Sequence, residues 1–244
     1  MPVQIPDDGD FSSFKDQCLN PEGWVPKYNK NNITVWCRAE ESATVQKIKM
    51  RIVCKDVPAE TVYDVLHDTP YRKKCGILLL EVSSSFEEQR LCDNEVLAPL
   101  GNDFLIINYS VKHPQHPPKK DYVRAVSLLT GYLIQSTGPS SSTLYYLTQL
   151  DPKGSLPKWV VNRVSQLVAP KAMRKIYKAS LKYPEWKRKH SPQLKPWLYP
   201  EQNSLPCIDP SILSLQRADS LENIDESSAN EEKPAKDQSD EEQD

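Results

Sequence analysis

The sequence predicts an α+β fold, a curved antiparallel sheet with a long C-terminal helix laid across it. Three observations predict this plan. Within residues 45–55, Ile48, Met50, Ile52 and Cys54 alternate with Lys47, Lys49, Arg51 and Lys55. That is the period of a strand with one wet face, the habit of antiparallel sheets. Within residues 156–190, Val160, Val164, Val168, Ala172 and Ile176 recur every fourth residue, widened by Val161, Leu167 and Met173. Such a stripe argues for one long amphipathic helix. Finally, the segments run helix, strands, helix, strands, terminal helix, rather than in strict strand–helix alternation.

Each element follows from local chemistry. Residues 1–6 hold nothing to tether them and are expected to be disordered. From Asp7, acidic cap candidates precede Phe11, Phe14 and Cys18 at near-helical spacing, which predicts a short helix. The NPEGW stretch turns the chain, and Ile33, Val35 and Cys37 then alternate with Thr34, Trp36 and Arg38 as a strand. After the strand at 45–55, a helix starts at Asp56–Glu60 with Pro58 near its first position. Val62, Val65 and Leu66 supply its buried side, and it is expected to fade near Pro70. Residues 75–103 hold one short apolar run, a serine triplet and unpatterned charge, and no element is read there. Residues 104–113 and 121–137 read as strands, the second with a bulge expected at Thr130-Gly131. The proline-rich loop between them cannot pair continuously in a sheet. Gly138-Pro139-Ser140 turns into a last strand at 143–150.

The terminal helix has Pro157 in its first turn and Pro170 in its middle, where a bend is expected. Two roles fit it: closing an ordinary core, or forming a lid over a lipid cavity that also touches a membrane. In the second role Val160, Val164, Leu167, Val168 and Ile176 face the cavity. Arg163, Lys171, Arg174, Lys175, Lys178 and Lys182 then face an anionic membrane surface. The domain spans residues 7–190. Residues 191–205, with three prolines and Trp197, are expected to lie extended against it, and 206–244 to form an acidic disordered tail.

Composition limits the function classes. The net charge of −2 conceals an asymmetry, because residues from 201 onward hold 13 acids and 3 bases. The folded part is therefore basic and the tail acidic. No apolar run approaches the roughly 20 residues of a membrane span, and the acidic N-terminus is unlike a signal peptide, so a cytoplasmic location is expected. Six widely spaced cysteines without a C-x-x-C pair predict reduced thiols and no metal site. Four separated histidines, no nucleophile motif and no glycine-rich phosphate loop predict neither catalysis nor a cofactor. The cationic helix with Trp159 and Trp186 lacks a recognition motif, so nucleic acid is not an expected partner. Ser239, followed by Asp240, Glu241 and Glu242, is an expected phosphorylation site for a casein kinase 2-type kinase. Phosphate there would strengthen an acidic tail that either only aids solubility or competes with anionic lipid for the helix.

Three blocks, VPAETVYDVLHDTPYRKK (57–74), NYSVKHPQHPPKKDYVRAVSLLTGYLIQSTGP (108–139) and DPKGSLPKWVVNRVSQLVAPKAMRKIYKASLKYPEWK (151–187), resemble the StAR-related lipid transfer (START) family in its phosphatidylcholine-transfer branch. The resemblance implies a helix-grip fold with one phospholipid in a tunnel gated by the terminal helix. It implies a non-enzymatic carrier that transfers phosphatidylcholine, or phosphatidylethanolamine, between membranes. It also implies an arginine for the headgroup phosphate and an aromatic cage with an acid for choline, onto which Arg72 and Tyr132 map. The rest of that pattern fails, because Cys75 and Gly76 stand where the family has a tryptophan and the acid. Between Gly76 and Pro99 the family's next strands have no counterpart. The expected consequence is a sheet lacking central strands, and with it a second reading: a shortened interaction or regulatory module with impaired lipid binding.

Overall fold

A computed structural model of the chain describes residues 6–39, 46–77, 90–91, 103–108, 110–112, 114, 125–151, 163–203, 207–208 and 212–215. Helix α1 (Asp8–Leu19) is capped reciprocally: the Asp10 N–H donates to Asp7 Oδ1 at 3.0 Å and the Asp7 N–H to Asp10 Oδ2 at 3.1 Å. Two of the helix's orphan donors are satisfied in this way. Strands β1 (Val25–Lys30) and β2 (Ile33–Arg38) make a hairpin turned by Asn31 and Asn32, both at positive φ. Asparagine tolerates that conformation, so this pair was the available signal for β1, which the sequence reading passed over. Strand β3 (Lys47–Cys54) follows.

Helix α2 (Ala59–His67) leads into α3 (Thr69–Cys75). Pro70 thus opens a helix instead of ending one. It occupies the first turn of α3, where a missing N–H costs nothing, and Asp68 caps that turn. Gly76 closes α3 at φ 58°, a left-handed position that suits glycine. After β4 (Arg90–Leu91) come β5 (Phe104–Asn108), β6 (Val111–Lys112), β7 (Val126–Gly138) and β8 (Ser141–Asp151). A π turn (Val164–Val168) runs straight into helix α4 (Ala169–Lys189). Beyond it stand a 3-10 turn (Pro200–Gln202), β9 (Cys207–Ile208) and β10 (Ser214–Leu215).

Six strands pair antiparallel in the order β1-β2-β3-β8-β7-β5. The register sets Ile33, Ile52, Leu144, Ile134 and Phe104 in one row across five strands, and Val35, Met50, Tyr146, Tyr132 and Ile106 in the next. Most of these side chains are buried in one cluster with α2, α3 and α4. The alternation read from residues 48–54 is therefore the inner face of the sheet, gripped onto the terminal helix.

Helix α1 covers the opposite face, where Phe11, Phe14 and Cys18 pack on Leu105, Leu133 and Leu147. Gly131 explains the fit. A Cβ there would stand 2.4 Å from the Ile106 carbonyl oxygen and 2.7 Å from Phe14 Cζ. The expected bulge at Thr130-Gly131 is absent from that position. Gly131 pairs regularly with Leu147, and the register shifts fall at Ser127/Leu129 and Ser136/Gly138. The glycine marks a close approach of α1, not a kink.

Two C-terminal expectations change. Residues 191–203, within the segment expected to lie extended, form consecutive turns. The segment expected to be disordered from 206 contributes β9, parallel to β4, and β10, antiparallel to β6, with Leu213 buried. Strand pairing and one apolar anchor hold residues 207–208 and 212–215, within a stretch whose composition alone favours disorder.

Candidate functional site

Arg72 lies on α3, half-buried, and its Nη1 donates to the Leu66 carbonyl at the end of α2 at 3.1 Å. The adjacent Tyr71 is buried, and its hydroxyl donates to the Ala179 carbonyl of α4 at 2.8 Å. Tyr132 on β7 is 7% exposed and stands opposite Tyr146 of β8, ring centroids 4.8 Å apart. Tyr63 of α2 stacks on Phe104 at 4.8 Å. Tyr71, Tyr132, Tyr146 and Tyr63 share the one core cluster beneath α4, so the helix layer that holds Arg72 and the strand that holds Tyr132 border a common aromatic interior.

Two buried carboxylates, Asp64 on α2 and Asp68 at the α2–α3 junction, organise this layer. Asp68 caps α3 by accepting the Tyr71 N–H at 3.1 Å, and its second oxygen accepts Tyr183 OH at 3.0 Å and Lys187 Nζ at 2.9 Å from α4. Asp64, one turn earlier, accepts Trp197 Nε1 at 2.8 Å and Lys195 Nζ at 2.6 Å. Burial, reinforced by the carboxylates Asp68 and Asp64, holds the Tyr183 hydroxyl well above the usual phenol range, so it remains a donor. Sequence reasoning missed both carboxylates. Their i, i+4 spacing on a helix with an apolar stripe was the signal available.

The terminal helix differs from its reading in three respects. Its buried positions are Ala169, Pro170, Met173, Ile176, Ala179, Ser180, Tyr183 and Lys187, a face that advances in steps of three and four. A stripe at every fourth residue precesses by about 40° per step, so it drifts off the core face, and Val168 is exposed. Ile176 is buried, and Val164 is half-buried in the π turn. Leu167 and Val168, expected to face a cavity, are 51% and 50% exposed, while Ser165 is fully buried. Val160, like all of 152–162, lies outside the described residues. Pro170 sits in the first turn of α4, where the preceding π turn makes its missing donor harmless, and Pro184 is the proline inside the helix.

Arg163, Lys171, Lys175, Lys178 and Lys182 are exposed. Arg174, expected among them, is instead half-buried and donates from Nη2 to the Tyr28 hydroxyl of β1. Its position on the helix flank, next to the grip, turns it inward. Ser239 lies outside the described residues.

Side chains of α4 and the inner face of the sheet pack together in one buried cluster. Two hollows lie at the surface, away from this cluster. One of about 450 Å³ is lined by Ser12, Ser13, Asp16, Gln17, Asn20 and Arg38 along α1, and one of about 380 Å³ by Glu60, Ser136, Gly138 and Pro139. The lining of the second is mostly polar, and that of the first is about evenly polar and apolar, unlike the predominantly apolar lining of a typical lipid pocket. No helix among the described residues is long and apolar enough to cross a membrane.

Comparison with known proteins gives the family. A START domain model matches residues 95–187. START domain-containing protein 10 of mouse is 54% identical over 252 residues, which cover 94% of this chain and 86% of that protein. Phosphatidylcholine transfer protein of rat is 22% identical over 198 residues, 70% of this chain and 92% of the relative. The crystal structure of human STARD10 superposes with a TM-score of 0.78 at 52% identity, covering 90% of this chain and 98% of that one. Human StAR-related lipid transfer protein 5 shares the fold, with a TM-score of 0.52 at 18% identity over 70% of this chain and 93% of that one. With the helix laid over a curved antiparallel sheet and more than half of its residues shared with a relative across nearly its whole length, the chain belongs to the START domain family of lipid-transfer proteins.

Proposed function

We propose that this chain binds a phospholipid, phosphatidylcholine or phosphatidylethanolamine, and carries it between membranes through the cytosol without altering it chemically. One observation supports the reading above others: the Arg72-bearing helix and the paired rings of Tyr132 and Tyr146 border the same interior, closed by α4. A guanidinium matches a phosphate bidentately, and aromatic faces attract a quaternary ammonium. A diacyl lipid loses ~0.8 kcal/mol per methylene exposed to water, so it needs a carrier to cross the cytosol.

Membrane contact falls to the outer side of the terminal helix. Arg163, Lys171, Lys175, Lys178 and Lys182 provide charge, and Leu167 with Val168 provides apolar tips beside them. Phosphate on Ser239, added by a casein kinase 2-type kinase, would bring roughly −1.5 to −2 charge to the tail and weaken that contact. Mass spectrometry of the purified full chain under native conditions tests the central point. One co-purifying phosphatidylcholine or phosphatidylethanolamine per chain is expected, and a chain that stays lipid-free after incubation with vesicles would sink the carrier reading.

The second reading, a shortened interaction or regulatory module with impaired lipid binding, is favoured by the continuous packing between α4 and the inner face. The six-stranded sheet ending at β5 among the described residues also favours it. A lipid-free mass spectrum from a chain that still unfolds cooperatively would select it.

A further inference from the structure

The carboxylates of Asp64, on α2, and Asp68, at the α2–α3 junction, do different work. Asp64 at 6% exposure ties down only the segment after the terminal helix, through Lys195 and Trp197. Asp68, at 2% exposure, joins three parts. Oδ1 fixes the first turn of α3 through the Tyr71 N–H, and its carbonyl accepts the Arg72 N–H at 2.9 Å. Oδ2 holds α4 through Tyr183 and Lys187. Lys187 is itself 8% exposed, its ammonium 5.1 Å from the Trp197 ring centroid and 2.9 Å from the carboxylate. A cation buried that deeply is stable only while paired. If α4 lifts from the sheet at this end, Asp68 loses both partners and remains as a buried uncompensated charge, and the turn that it caps loosens with it. That turn carries Arg72.

We propose that Asp68 is a positioning residue that couples the seating of the terminal helix to the placement of Arg72, so that headgroup recognition is strongest when α4 is docked. The inference rests on the reading of Arg72 as the phosphate-binding residue. It adds that headgroup selectivity is set from the helix, 115 and 119 residues away along the chain.

The test compares two ligands with identical acyl chains, phosphatidylcholine and diacylglycerol, in uptake by the full-length chain from vesicles. The measured quantity is the ratio of the two uptakes. Lys187→Met and Asp68→Asn are expected to reduce the preference for phosphatidylcholine by about tenfold, the usual size of a coupling between sites, and Lys187→Arg to retain most of it. Lys195→Met breaks the neighbouring pair at Asp64 and is expected to lower stability while leaving the ratio unchanged. Because Asp68→Asn risks misfolding, Lys187→Met and Tyr183→Phe, both outside α3, decide the matter. An unchanged ratio in Lys187→Met overturns the inference, as does an equal loss in Lys195→Met. A wild-type chain with no preference between the two lipids overturns the headgroup reading and this inference together, and is recognised before any variant is compared.

Discussion

Lys49 sits on the outer face of the sheet yet is only 3% exposed, because the end of α1 closes over it. Its ammonium donates to the Asn20 and Gln17 carbonyls at 2.7 and 3.3 Å and lies 4.2 Å from the Trp24 ring centroid, so it caps a helix that has no basic residue in its last turn. Burial lowers its pKa to about 8, partly opposed by the neighbouring Cys18. Between that value and the unfolded value near 10.5 the unfolded chain binds the extra proton at this residue, so the Lys49 contribution to stability rises with pH across that window and is flat below it. The buried thiols of Cys18 and Cys54, pushed up to about 12, contribute in the opposite direction above about pH 9. The gain expected from Lys49 is on the order of 2 kcal/mol. Urea denaturation at pH 8 and pH 10 should show the wild type gaining that much relative to Lys49→Met, because the opposing thiol contributions are present in both chains. An identical pH response in both would refute the assignment. Gly131 makes the complementary case on the same face. In Gly131→Ala the new methyl meets backbone at Ile106 as well as the Phe14 ring, so a loss of about 1–3 kcal/mol is expected in the same denaturation assay. No trace of either role can be read from the chain, where Lys49 looks like one more solvated lysine and Gly131 like a bulge.

At the scale of elements, the strands were the legible part. Alternation fixed the inner face of β2 and β3, because a period of two leaves no room for error about which side a residue occupies. The terminal helix was legible as a helix but not as a face, since a four-residue repeat drifts around the axis and the π turn shifts it again. Lys187 shows why composition misleads: the cation most buried on α4 looks the same in sequence as the exposed lysines at 171, 175, 178 and 182. The corrected face changes what should bind a membrane. Replacing Leu167 and Val168 with serine together is expected to weaken binding to anionic vesicles roughly tenfold or more, at ~1.5–3 kcal/mol per buried aliphatic side chain. The thermal midpoint should barely move, because both residues already face solvent. Arg174→Ala should do the reverse, lowering the midpoint through the lost Tyr28 contact with little effect on vesicle binding. Sedimentation with vesicles and thermal denaturation of the same samples separate the two outcomes.

On the scale of the whole molecule, the segment after the terminal helix belongs to the domain more than its prolines suggested. Trp197 is 5% exposed within the main core cluster, and with Lys195 it supplies both partners of the Asp64 carboxylate. The Asp64 and Asp68 pairs together bind α2, α4 and residues 195–197 into one unit. Beyond Asn203 the described anchoring is lighter, two two-residue strands and the side chain of Leu213. A chain ending at Asn203 is therefore expected to unfold within a few degrees of the full-length protein, while binding anionic vesicles more strongly because most of the acidic residues after position 200 are gone. A chain ending at His190 strips Asp64 of both donors and leaves a buried charge unpaired, which costs about 3–5 kcal/mol. Set against the roughly 5–15 kcal/mol that holds a typical domain together, that loss should lower the thermal midpoint by roughly 6–20 °C, or abolish a cooperative transition. Equal midpoints for the two shortened chains would mean that Lys195 and Trp197 decorate the domain without holding it.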